Sequence, residues 1–156
     1  MTSKSRTKLA SVITRNDGEV SGLENILGFH IRLAHGAVYR HFSETFNHID
    51  LTQKQVSVLW LIDENAGISQ ADLGRLLQID RATMMAIVNR LQARSYLVRS
   101  PSPLDGRRQV LTLTSEGQDA LTCARRAIAE HEAWLKSRFT ETEVATLIKL
   151  LRDIHE

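Results

Sequence analysis

The 156-residue sequence predicts a mainly α fold with a small β-hairpin wing: a winged helix-turn-helix with long terminal dimerisation helices. Three observations carry this. Apolar residues recur at three-and-four spacing near both ends, two short capped helices adjoin in the middle, and two β-prone runs follow them across a Pro- and Gly-bearing connection. A hydrophobic share of 42% supports one core and leaves little room for two.

Residues 1–20 are polar, basic and without usable periodicity, and read as a flexible N-terminal arm. A single domain is expected over 21–156. Ser21 is a plausible N-cap for one long amphipathic helix through Leu23, Leu27, Ile31, Ala34, Val38, Phe42 and Phe46. Thr52 caps a shorter helix through Val56, Leu59 and Ile62, and Gly67 stops it. After the hairpin, Thr114 opens a long helix, and Thr140 with Glu143 forms a capping box for the last one. The stripes Leu23, Leu27, Ile31 and Val144, Leu147, Leu151 find few partners in so small a fold, which points to a homodimer. Residues 21–50 and 114–156 are therefore the expected dimerisation helices, and 51–113 the winged lobe.

Within "ISQADLGRLLQIDRATMMAIVNRLQARSYLVR", Ser69 and Asp80 each open a short helix, with only Gln78 and Ile79 between them. So short a link forces a steep crossing. Leu73, Leu76 and Leu77 are expected under Met84, Ile87, Val88 and Leu91, leaving Arg81, Ala82, Met85, Ala86, Asn89 and Arg90 outside. That face suits a helix entering a major groove, since Arg and Asn make bidentate contacts to guanine and adenine while Ala and Met pack on thymine methyls. A plain solvated face is the alternative. Charge favours the groove, because residues 69–108 carry seven basic and three acidic side chains although the whole chain is only +2.

The runs 96–100 and 109–113 form the predicted hairpin, whose tip holds Asp105, Gly106, Arg107 and Arg108. An arginine on such a turn can enter the minor groove, with Asp105 pairing with it. The expected DNA-facing set is Ser69, Gln70, Arg81, Ala82, Thr83, Met85, Ala86, Asn89, Arg90, Asp105, Arg107 and Arg108.

"LTQKQVSVLWLI", "SQADLGRLLQIDRATMMAIVNRLQARSYLVR" and "DGRRQVLTLTSEG" together resemble the MarR (multiple antibiotic resistance regulator) family of winged helix-turn-helix transcription factors, over roughly Leu23 to the C-terminus. The family's wing sets Asp-x-Arg before Leu-Thr-x-x-Gly, reproduced by Asp105, Arg107, Leu113, Thr114 and Gly117. Met84-Met85 departs from it, one Met replacing a hydroxyl or charged residue. The resemblance implies a dimer that straddles a pseudo-palindromic operator, with Arg107 as the minor-groove arginine. It also implies an effector, commonly an aromatic acid or in some members an aromatic acyl-CoA thioester, between the dimerisation helices and the DNA-binding lobe.

The stretch "GFHIRLAHGAVYRHF" interrupts the first apolar stripe with cations and two glycines, Gly28 and Gly36, which could open a cavity. His30, Arg32, Arg40, His41 and Trp60 are the candidate ligand-binding residues, the arginines suiting a carboxylate or phosphate. The same cations could instead face solvent or a partner's carboxylates. No metal site is expected, because His30, His35, His41 and His48 are spaced by 5, 6 and 7 residues, without an i, i+4 pair. Cys123 reads as a buried small hydrophobe. No nucleophile, carboxylate pair or Gly-rich phosphate loop stands out, so neither an enzyme nor a cofactor is expected. The absence of a long apolar run or signal-like start predicts a cytoplasmic protein without a membrane partner. The reading is a ligand-responsive repressor of double-stranded DNA; the alternative is a winged-helix protein-interaction module without sequence-specific DNA binding.

Overall fold

The computed structural model describes residues 22–156, and the predicted arm at 1–20, like the cap at Ser21, lies outside them. The described residues divide into two compact units between Ala37 and Val38. The first helix, α1 (Leu27–Phe46), runs through both.

In the first unit, the single helix expected from Ser21 is instead a 3-10 turn, Gly22–Asn25, followed by α1. Gly22, Asn25 and Gly28 are weak helix formers, and the chain settles for the tighter bond from Ile26 N–H to the Leu23 carbonyl at 3.1 Å. Leu23, Ile26, Leu27, Ile31 and Leu33 are all exposed.

The second unit continues with α2 (Gln53–Glu64), α3 (Gln70–Leu76), α4 (Arg81–Ala93), β1 (Leu97–Pro101), β2 (Gln109–Leu113), α5 (Ser115–Lys136) and α6 (Glu141–His155). Every expected cap from Thr52 onward is in place. Thr52 with Gln55, Ser69 with Asp72, and Thr140 with Glu143 form reciprocal capping boxes, while Asp80 and Thr114 accept from Thr83 N–H and Gly117 N–H. Such caps contribute about 1 kcal/mol each. The helix stops earlier than expected, at Glu64 with Asn65 as its C-cap, and Gly67, at φ +80, lies in the turn that follows.

The core gathers Leu59, Leu73, Met84, Leu91, Leu97 and Leu121, all nearly or fully inaccessible. Two burial expectations fail. Leu76 is 56% exposed, because on so short a helix Leu73 takes the inward direction and Leu76 falls to its flank, lining a shallow groove with Trp60 and Ile128. Cys123 is exposed. The buried stripe of α5 runs through Gly117, Leu121, Ala124, Ala127 and His131, and Cys123, one residue before Ala124, is turned about 100° away from it.

The hairpin is antiparallel, pairing Leu97 with Leu113 and Pro101 with Gln109. It starts one residue later than expected. Ser95 takes a left-handed φ of +61, and Tyr96 N–H turns back to the Leu91 carbonyl at 3.0 Å, so Tyr96 belongs to the corner. Leu111 N–H also donates to the Ile68 carbonyl at 2.9 Å, which ties the wing to the start of α3.

Among the described residues, no helix is long and apolar enough to cross a membrane. Nor does α6 bury a single residue: Leu147, Ile148, Leu150, Leu151 and Ile154 are exposed.

Candidate nucleic-acid interface

The turn between α3 and α4 is closed by backbone geometry. Leu77 N–H returns to the Leu73 carbonyl, Gln78 adopts φ +52, and Ile79 N–H donates to the Gly74 carbonyl at 2.9 Å. A Cβ on Gly74 would lie 3.1 Å from the Ile79 carbonyl oxygen, so a side chain there would crowd the return. Asp80 then starts α4, its carboxyl held below the usual carboxylate range by bonds from Thr83, the side chain first and then the backbone amide. The inward face of α4 is Met84, Ile87, Val88 and Leu91, and the outward one is Arg81, Ala82, Met85, Ala86, Asn89 and Arg90, all exposed. Thr83 is half-buried beside its cap.

Beside this face an open groove of about 870 Å³ separates α3 and the start of α4 from the wing. Asp72 organises its wall. One carboxylate oxygen accepts from Ser69 N–H at 3.0 Å and from the Ser69 hydroxyl at 2.7 Å, and it also pairs with the Arg108 guanidinium; the other takes Arg75 at 3.0 Å. These bonds, Ser69's first and Arg108's charge after them, hold the Asp72 carboxyl below its usual range. A lowered carboxylate stabilises the fold above its unfolded value, and that contribution is lost as pH falls through the lowered one. Arg108 thus fastens the wing to α3, and Ser69 is a mostly buried cap with its hydroxyl engaged.

Arg107 sits on the exposed tip, and among the described residues its guanidinium makes no hydrogen bond or ion pair. The expected side-chain pairing with Asp105 is not what forms. Asp105 accepts from the Arg107 backbone N–H at 3.0 Å, because a short Asp side chain reaches the amide two residues on and closes an Asx turn. Ser102 secures the same loop by accepting from the backbone of Leu104 and Asp105.

One residue of this surface has no counterpart in the sequence-based set. Arg99 of β1 reaches Gln70 Oε1 at 3.2 Å and Asn89 Oδ1 at 2.7 Å with one terminal nitrogen, and Gln92 Oε1 with the other. The contacts span 7 to 29 positions, so no local pattern marks them.

The ligand-binding candidates divide between the two units, His30 and Arg32 in the first and Arg40, His41 and Trp60 in the second. In the first unit, the His30 ring bonds the Glu24 carbonyl at 2.7 Å and Arg32 lies over the Phe29 ring. A Cβ on Gly28 would meet nothing within 4 Å, so no close approach requires that glycine. In the second unit, Arg40 is exposed, while His41 stacks on Trp134 with ring centres 3.9 Å apart and its Nδ1 lies 2.8 Å from His131 Nδ1. Trp60 donates to Glu64 and is covered by the Arg125 guanidinium, which Asp63 holds at 2.7 Å.

Residues 49–108, the second helix through the wing tip, match the MarR family profile. A Thauera aromatica protein named for transcriptional regulation of the hcr operon is 32% identical over 130 residues, 83% of this chain and 78% of that one. The chain belongs to the MarR family. The multiple antibiotic resistance protein MarR of Salmonella typhimurium is 30% identical over 107 residues, covering 68% and 74% of the two chains. Among solved structures, the transcriptional repressor CouR bound to a 23-mer DNA duplex superposes with a TM-score of 0.81 at 31% identity, over 88% of this chain and 99% of that one. CouR bound to p-coumaroyl-CoA gives 0.79 at 28% identity, over 88% and 97%. This MarR-family chain is accordingly a transcription regulator, and its relatives are regulators rather than enzymes.

Proposed function

We propose that the protein is a cytoplasmic homodimeric repressor that binds a pseudo-palindromic operator and is released from it by an aromatic acid or an aromatic acyl-CoA thioester. The observation that carries the DNA reading is the exposed outer face of α4 beside a wing that is pinned by Arg108 yet holds Arg107 at its tip. A phosphate-rich, grooved partner fits both parts, with α4 in the major groove and Arg107 at the adjoining minor groove. The exposed apolar residues of α6 support a second copy as the partner that covers them, and a dimer sets two recognition helices roughly 34–36 Å apart. CouR, with structures bound to a DNA duplex and to p-coumaroyl-CoA, supports the same pairing of operator and effector.

The test is a salt titration on operator and random duplexes. Arg107→Ala is expected to weaken binding to both and to reduce the salt slope by about one unit, since its partners would be phosphates and groove potential. An unchanged slope removes Arg107 from the interface. If the parent binds both duplexes equally at every salt concentration, the protein-interaction alternative takes over.

A ligand shifts operator affinity by the ratio of its affinities for the DNA-competent dimer and the others. Adding p-coumaroyl-CoA or a free aromatic acid is therefore expected to lower operator affinity about 5- to 150-fold, a coupling of ordinary size. An isotherm that no such compound moves would leave the DNA reading standing and remove the effector class.

A further inference from the structure

Arg99 carries an inference that rests on the proposal that α4 reads DNA. Its guanidinium has five N–H donors, no acceptor and a permanent charge. Each side-chain amide facing it must therefore turn its oxygen inward, because an inward NH2 would set donor against donor. Gln70, Asn89 and Gln92 all do so. Their NH2 groups are left for whatever approaches from outside. Of the three, Asn89 stands on the outer face of α4 in line with Met85 and Ala86, where base edges would pass.

We propose that Arg99 sets the hydrogen-bond polarity of this surface, so that Asn89 acts as a donor and selects guanine or thymine over adenine and cytosine. An unconstrained asparagine reads adenine with both ends of its amide, accepting from N6 and donating to N7. Here the accepting end is held at 2.7 Å by a cation, and adenine N6 would have to crowd against that guanidinium. Cytosine offers only a donor at N4, which an outward NH2 cannot use. Guanine O6 and thymine O4 are acceptors where adenine and cytosine carry amino groups, and they match; N7, common to both purines, does not discriminate. Arg99 is thus a positioning residue that acts through Asn89, and it does so from the wing strand, outside the recognition helix.

The experiment is selection of binding sites from randomised duplexes by the full-length parent, Asn89→Ala, Arg99→Met and Arg99→Lys, with a thermal melt of each. Asn89→Ala should erase preference at one base pair per half-site. At that position the parent should favour guanine or thymine about three- to tenfold, the weight of one hydrogen bond. Arg99→Met should raise adenine to parity there, and Arg99→Lys, still a donor-only cation, should keep the parental order. A purely structural clamp would change melting and affinity without reordering the bases.

Adenine or cytosine favoured by the parent at that position overturns the inference, even if Arg99→Met fails to fold. So does a folded Arg99→Met that keeps the parental order, or an Asn89→Ala protein that keeps every preference. All three leave DNA reading itself intact. A parent that enriches no sequence overturns the DNA reading, and this inference with it.

Discussion

Gly117→Ala is expected to destabilise the protein by about 3 kcal/mol, the upper part of the range for overpacking, and to lower its melting midpoint by roughly 6–12 °C. The reason is a close approach of two backbones. A Cβ on Gly117 would fall 1.9 Å from the Tyr96 carbonyl oxygen and 2.8 Å from its carbonyl carbon. No rotamer relieves that clash, because neither atom belongs to a side chain. The same carbonyl accepts from Thr114 N–H at 3.1 Å, and the Thr114 hydroxyl donates to the Ser95 carbonyl while accepting from Gly117 N–H at 3.0 Å. Together these bonds seat the first turn of α5 on the corner where α4 passes into the wing. Moving Tyr96 aside to admit a methyl group would disturb β1 and the Arg99 contacts as well. DNA affinity should therefore fall with stability, and a variant that melts within 2 °C of the parent, about the shift 1 kcal/mol gives at this size, would show that the approach is not maintained in solution.

The parent's melting midpoint is expected to fall as pH drops below about 6.5, the ordinary histidine value, and His131→Phe should flatten that fall. His131 is 5% exposed on the inner stripe of α5, with the Phe42 ring edge-on at 5.7 Å. Burial lowers its pKa, the neighbouring His41 lowers it further, and only Glu132 pulls the other way. The Nδ1 atoms of His41 and His131 lie 2.8 Å apart, so one must donate and the other accept. A proton taken up by His131 would place a charge inside the core, beside Phe42. The folded pKa of His131 is depressed, so its contribution is present above the unfolded value and lost as pH falls through the folded one. Phenylalanine has nothing to protonate and keeps an aromatic surface for Phe42. Melting curves from pH 7.5 to 5 decide the matter, and parallel profiles for the two proteins would assign the pH response to other groups.

The helix-turn-helix was legible residue by residue because its signals are local. Ser69 and Asp80 cap at fixed offsets of three residues, and the 3.6-residue period separates Met84, Val88 and Leu91 from Arg81, Ala82, Met85, Ala86, Asn89 and Arg90. Leu76 shows the limit of that period, since on a seven-residue helix the offset of about 60° between positions three apart is enough to expose a leucine. Cys123 fails similarly, because hydrophobicity alone does not say which side of α5 it takes.

By itself, the sequence determined the order of the elements, their caps, the basic middle of the chain and the motif that places it among MarR-like regulators. Each of these depends on residues a few positions apart. Only the tertiary structure decided what the charged side chains do. It turned Arg108 to Asp72 across 36 positions, left Arg107 on the tip, bound Arg99 to three amides and joined His41 to His131 across 90. It also showed why position 117 is glycine, through a carbonyl 21 residues earlier in the chain. The physical reason is common to all of them: a periodic apolar stripe specifies a direction from the helix axis, whereas a hydrogen bond or a clash depends on which distant atoms the packed core brings within about 3 Å.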